Sequence, residues 1–155
     1  MTRPVTPPFR LELSNQQTEV KVPMRWLKRF AAVALPLARS QALSPNCPLL
    51  ELTSLEVTLV DDATIARIHG QFLDDPTPTD VITFDHGEVL ISAPCAHRQA
   101  AAMEHGCTAE IALYLVHAMM HLGGWDDHSA EDAAAMAQAQ EEVWRQALAQ
   151  GAPVP

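Results

Sequence analysis

The chain has 155 residues, 48% apolar and 19% charged, with a formal net charge of -9. That size and balance suit a single soluble domain over residues 1–155, and no apolar run approaches the roughly 18 residues that span a bilayer, so no membrane partner is expected. The acidity argues against broad, nonspecific binding of nucleic acid through a basic surface, and no DNA partner is expected; it leaves room for a local or metal-centred site.

In chain order, residues 1–8 carry three prolines and read as a loose arm, with no apolar stretch of the kind that opens a secretory signal. "FRLELS" alternates Phe9, Leu11 and Leu13 with Arg10 and Glu12, the pattern of a half-buried strand. Pro23 opens a helix carrying Met24, Trp26, Leu27, Phe30, Val33 and Leu37, which Pro36 should kink or end. "SPNCP" (44–48) is a loop, and "LLELTSLEVTLV" (49–60) reads as a strand with Leu55, Val57 and Leu59 on one face.

Asp61 or Asp62 can cap a helix over 63–73 with an Ile65, Ile68, Phe72 stripe, which "DDPTP" breaks. "TDVITF" (79–84) and "EVLIS" (88–92) flank "DHG" and form a hairpin. Ser92 can cap a helix over roughly 94–105, ended by Gly106. Thr108 caps a long apolar helix over 109–122, ended by Gly123 and Gly124, and Ser129 starts a last helix to about 149. The order β-α-β-α-β-β-α-α-α predicts an α+β fold, a small mixed sheet covered by helices. Cys47, Cys95 and Cys107 form no CxxC pair, so a disulfide framework is not expected and a reducing, cytoplasmic setting is.

The chemistry concentrates in "HAMMHLGGWDDH", residues 117–128. His117 and His121 are four apart on a predicted helix, so both imidazoles leave one face and can chelate one ion. An HxxxH pair alone is a weak signal, since such histidines are usually surface or hydrogen-bonded core groups. Here the pair sits among Val116, Met119, Met120 and Leu122, and Asp126, Asp127 and His128 follow a glycine turn that can bring back a third ligand. Three protein ligands and an open position make a catalytic metal site. Residue 118 is Ala, so the glutamate base of the HExxH proteases is missing. Glu110, seven before His117 on nearly the same stripe, is a candidate acceptor behind an imidazole, though a glutamate in a first helical turn more often serves the dipole. Asp80 is divided evenly between orienting a ligand and starting a strand. Trp125 is expected to pack the turn, Met119, Met120 and Met136 to fill the core, and His69, His86, His97 and His105 to lie at the surface.

These stretches resemble the YbeY family of bacterial rRNA-maturation endoribonucleases, whose signature is approximately HGxLHLxGYDH. The matching residues are His117, Met120-His121-Leu122 and Gly124-Trp125-Asp126. A second block, PTDVLSF followed by G[DE]IxIS in the family, reads here as Pro78-Thr79-Asp80-Val81-Ile82-Thr83-Phe84 and Gly87-Glu88-Val89-Leu90-Ile91-Ser92. "RQA" and then "EIALYLVH" resemble the family's approach to the first histidine. The likeness covers about residues 50–145; the N-terminal third matches only in its strand–helix pattern.

The resemblance implies a hydrolase with one divalent metal ion, zinc by usual assignment, that acts on single-stranded RNA and rRNA in ribosome biogenesis, with the ribosome or a ribosome-associated protein as partner. It makes His117 and His121 the first two ligands. The family's third histidine falls six after the second, where this chain has Asp127; with one residue inserted it would be His128. The ungapped reading favours Asp127. A family arginine a few residues before PTDV corresponds to Leu73, and nothing in the sequence shows Arg67 or Arg98 in its place. Two rival classes stand beside this reading: a metal-dependent hydrolase of another bond, and a ribosome-assembly module whose metal is structural.

Overall fold

The computed structural model describes residues 8–74, 77, 79–103, 105–151 and 153–155. The expected N-terminal arm, apart from Pro8, lies outside the described residues, as do Pro78 of the second motif block and most of the "DDPTP" breaker.

Four strands form one sheet in the order β1-β2-β4-β3. β1 (Arg10–Asn15), β2 (Ser54–Val60) and β4 (Glu88–Ser92) run parallel, and β3 (Val81–Phe84) closes an antiparallel hairpin onto β4. Gly87 makes that hairpin possible: its φ is +101°, and a Cβ there would stand 2.6 Å from the Ser54 carbonyl oxygen. Alternation sets which side chains go where. Leu13, Leu55, Val57, Leu59, Val89 and Ile91 face a main core built with α1 (Met24–Ser40), α5 (Cys107–Leu122) and α6 (Ala130–Gln150). Val60, Ile82 and Leu90 join Ile65 of α3 (Asp62–Leu73) in a smaller cluster. β4 is therefore apolar on both faces, as a central strand covered twice must be. α4 (Ala93–Ala102) packs against α5 and α3.

The mixed α+β architecture expected from the sequence is the one observed, and among the described residues no helix is long and apolar enough to cross a membrane. Three local expectations are corrected. Residues 49–53 are not strand: Pro48 opens a short helix α2 (Pro48–Glu51) whose Leu49 is fully buried and which packs on α5. Pro36 does not end the assigned helix, since α1 runs on to Ser40. The ring faces solvent, where the helix ladder tolerates a missing bond, while Leu35 and Ala38 are buried beside it. Thr108 does not cap α5. Gly106, in extended backbone, starts that helix instead of ending α4, which stops at Ala102. The Asp61, Ser92 and Ser129 caps form, accepting from the amides of Thr64, Cys95 and Asp132.

Candidate metal centre

α5 is the most deeply buried helix near the cleft. Ile111, Ala112, Leu115, Val116, Ala118, Met119 and Leu122 are inaccessible to solvent, so the helix is fixed on nearly every side. Its remaining stripe carries Glu110, His117 and His121. Burial of the apolar sides therefore decides where the two imidazoles point: into a cleft of about 390 Å³ lined also by Leu73, Asp80, Val81, Ile82, Thr83 and Asp85.

Both rings are held from behind. The Nδ1 of His117 lies 2.8 Å from the Gln140 amide oxygen on α6, and the Nδ1 of His121 lies 3.1 Å from the Trp125 carbonyl oxygen. A carbonyl oxygen only accepts, so each Nδ1 donates. The Nε2 atoms of the two rings then face each other, 3.1 Å apart, with the ring planes nearly perpendicular. Two lone pairs at that distance repel unless a cation stands with them. A proton is a poor substitute: burial above all lowers the pKa of His121, His117 adds to this, and Asp127, the Trp125 carbonyl and Asp126 oppose it.

The turn after α5 supplies the third group. Gly124 adopts φ +95°, and the Trp125 amide closes back on the Met120 carbonyl. Trp125 packs against the main core, and its indole Nε1 donates to the Gln41 carbonyl at 2.9 Å, which anchors the turn to the end of α1. Ligand atoms of His117, His121 and Asp127 lie within 4.8 Å of one another, a group that could hold a metal ion. Two imidazoles and one carboxylate suit a tetrahedral divalent ion such as zinc, with a fourth position open. Asp127 is exposed, while the histidines are half-buried. His128, the alternative third ligand, is exposed and outside the group; its amide donates to Asp126 Oδ1 at 3.2 Å.

The other singled-out residues divide. Asp80 lines the cleft, and its carboxylate accepts from the Val81 amide at 2.7 Å, so it starts β3 and faces the site at once. Glu110 pairs with His105 at the start of α5, not with a ligand imidazole. Leu73, at the position of the family arginine, lines the cleft and is 55% exposed. Neither Arg67 nor Arg98 lines it; Arg98 is committed to Asp62 at 2.7 Å. Gln140 went unnoticed in the sequence. Its signal was a polar residue at an inward position of the 136-140-143-147 repeat of α6, whose other members are buried.

A sequence model of the family described as Endoribonuclease YbeY matches residues 12–147, which takes in both the β1–α1 third and the site. The chain belongs to the YbeY family. Among relatives named Endoribonuclease YbeY, that of Synechococcus sp. (strain RCC307) is 33% identical over 143 residues, 83% of this chain and 84% of that protein. That of Chlamydia trachomatis serovar D is 30% identical, covering 84% and 83%. The Synechococcus sp. (strain CC9311) relative is 36% identical over 118 residues, and the match spans 66% of its length. The solution structure of TM1509 from Thermotoga maritima superposes with a TM-score of 0.64 over 90% of each chain at 16% identity, which shows the shared fold. The family match reaches further toward the N-terminus than the likeness read from the sequence, which covers about residues 50–145.

Proposed function

We propose that this YbeY-family chain is a metal-dependent endoribonuclease that cleaves single-stranded RNA and acts in rRNA maturation and ribosome biogenesis in the cytoplasm. One observation carries the chemical part: two buttressed imidazoles aim bare Nε2 atoms at one point, beside a carboxylate on the next turn. His117, His121 and Asp127 are the ligands in this reading, and zinc is the ion their donor set favours. When bound, such an ion supplies Lewis acidity toward a phosphate and lowers the pKa of nearby water. The chain's own part is to hold the donors. Gln140 and the Trp125 carbonyl fix each imidazole's tautomer and angle, and the buried flank of α5 keeps the pair from drifting. No glutamate stands beside His117 as a base, which sets the site apart from HExxH proteases.

The net charge of -9 gives the surface little general attraction for a polyanion. Substrate delivery by the ribosome or a ribosome-bound protein supports binding without a basic surface. The test is cleavage of single-stranded RNA by zinc-loaded protein beside its His117→Ala variant. Metal-dependent cleavage that the variant lacks is the expected result. Equal behaviour of the two proteins, in cleavage and in metal content, would overturn the reading.

A further inference from the structure

β3 is an edge strand, paired with β4 on one side only. The Ser92 amide donates to the Asp80 carbonyl at 2.9 Å, and the register then sets Ile82 opposite Leu90 and Phe84 opposite Glu88. Bonded residues alternate along an antiparallel pair, so Ile82 and Phe84 spend their backbone groups on β4. Those of Val81 and Thr83 point out over the free edge. The Asp80 carboxylate takes the Val81 amide at 2.7 Å. Thr83 therefore keeps the one outward amide of β3 without a partner among the described residues, and its hydroxyl has none there either. Side chains alternate too. Ile82 and Phe84 join the small cluster with α3, while Val81 packs against the main core. Thr83 shares the Val81 face, which is the α5 side, and it lines the same cleft as His117 and His121.

We propose that Thr83 binds a non-bridging oxygen of the RNA phosphodiester at the metal centre, through its hydroxyl and its edge amide. The inference rests on the endoribonuclease reading above. Among the described residues no lysine or arginine lines the cleft, Leu73 stands where the family arginine would, and Asp80 and Asp85 offer only acceptors on their carboxylates. A phosphodiester there still needs donors, and Thr83 supplies two neutral ones from a single residue. Both are fixed to a strand, so they meet charge growing on the phosphate oxygens without reorganising. The same edge is a poor place to add a peptide strand. Strand addition needs a continuing ladder of amides and carbonyls, and Asp80 has already removed the Val81 rung. One isolated pair of donors suits one anionic oxygen.

The test uses a short single-stranded 2′-O-methyl RNA, checked to stay intact, and a cleavable RNA of the same sequence. Zinc-loaded wild type, Thr83→Val and Thr83→Ser are compared by fluorescence anisotropy. Thr83→Val keeps the shape and loses the hydroxyl, and it is expected to bind about tenfold more weakly, the scale of one hydrogen bond to a charged group. Thr83→Ser restores the affinity. Zinc affinity is expected to be the same in all three, which a merely structural role for Thr83 would not predict. In NMR spectra of the wild type the Thr83 amide proton moves downfield when the RNA binds. On cleavable RNA, Thr83→Val loses kcat as well, because the donors act on charge that grows in the transition state. Wild-type affinity and kcat in a folded Thr83→Val protein, with no shift of the Thr83 amide, would overturn the proposal and leave the endoribonuclease reading standing. Binding that depends on Thr83 without any cleavage would instead sink that reading and keep the phosphate contact. Protection of the Thr83 amide from exchange by an extended peptide, and not by RNA, would overturn the proposal and give the edge to a protein partner.

Discussion

The two sides of the metal centre are built differently. His117 and His121 sit on a helix whose other faces are buried, and each ring has a second anchor behind it. Asp127 sits on an exposed turn, with its own glycine at φ +95° three residues earlier and a neighbouring histidine of the same metal-binding chemistry. The helical side is preorganised by packing; the turn side is positioned mainly by the Trp125 anchor. Preorganised donors cost little to assemble around an ion, while an exposed donor must be ordered when the ion arrives. The site's affinity should therefore depend steeply on the helix and more gently on the turn.

That contrast can be broken from the helix side first. His117→Ala or His121→Ala removes one of three protein donors, and zinc affinity in chelator competition is expected to fall on the order of 10³-fold. Metal-dependent RNA cleavage should disappear with it. Next comes the packing that holds the pair. Leu115→Ala opens a cavity on a fully buried face of α5 and should cost about 2–5 kcal/mol in denaturant unfolding. Gln140→Ala leaves the ligands in place but frees the His117 ring. A loss of about 10–100-fold in metal affinity is expected, partly restored by Gln140→Glu, whose carboxylate still accepts from Nδ1.

The smallest expected effect lies away from both sides. Arg98 above all, with help from the Ser92 hydroxyl, holds the Asp62 carboxyl below the usual aspartate range. A depressed folded-state pKa contributes stability that is present above the unfolded pKa and is lost as pH falls through the folded value. The pair is largely exposed, so Arg98→Gln should cost no more than about 1 kcal/mol near neutrality, and the difference should vanish under strongly acidic conditions. A large effect of Arg98→Gln on RNA cleavage with unchanged stability would mean that this arginine does the work of the one missing at Leu73.

Much of this was legible in the residues. Period-two alternation placed β1 and the 54–60 part of β2, β-rich runs around a turn placed β3 and β4, and side-chain caps placed α3, α4 and α6, because those signals are local. The helical histidine pair was legible for the same reason: four-residue spacing is a geometric fact of any helix. What stayed hidden depends on contacts distant in sequence. Leu49 reads like a strand residue and is helical because α5 offers it a place to be buried. Pro36 reads like a terminator, and only the position of its ring on the solvent side makes it tolerable. Gln140 lies 23 residues from the imidazole it holds, and no local pattern links the two. Phe72 reads as part of a core stripe on α3, yet its ring is 67% exposed and meets Phe84 of β3 edge-on, a contact that no local pattern announces.

The third ligand is the sharpest claim, because Asp127 and His128 are adjacent and both can bind zinc. The decisive measurement is zinc affinity, by competition with a chromophoric chelator, for wild type, Asp127→Ala and His128→Ala side by side. Weaker binding in Asp127→Ala, with His128→Ala within about twofold of wild type, is the result expected from a His117, His121 and Asp127 centre. A loss confined to His128→Ala would contradict it.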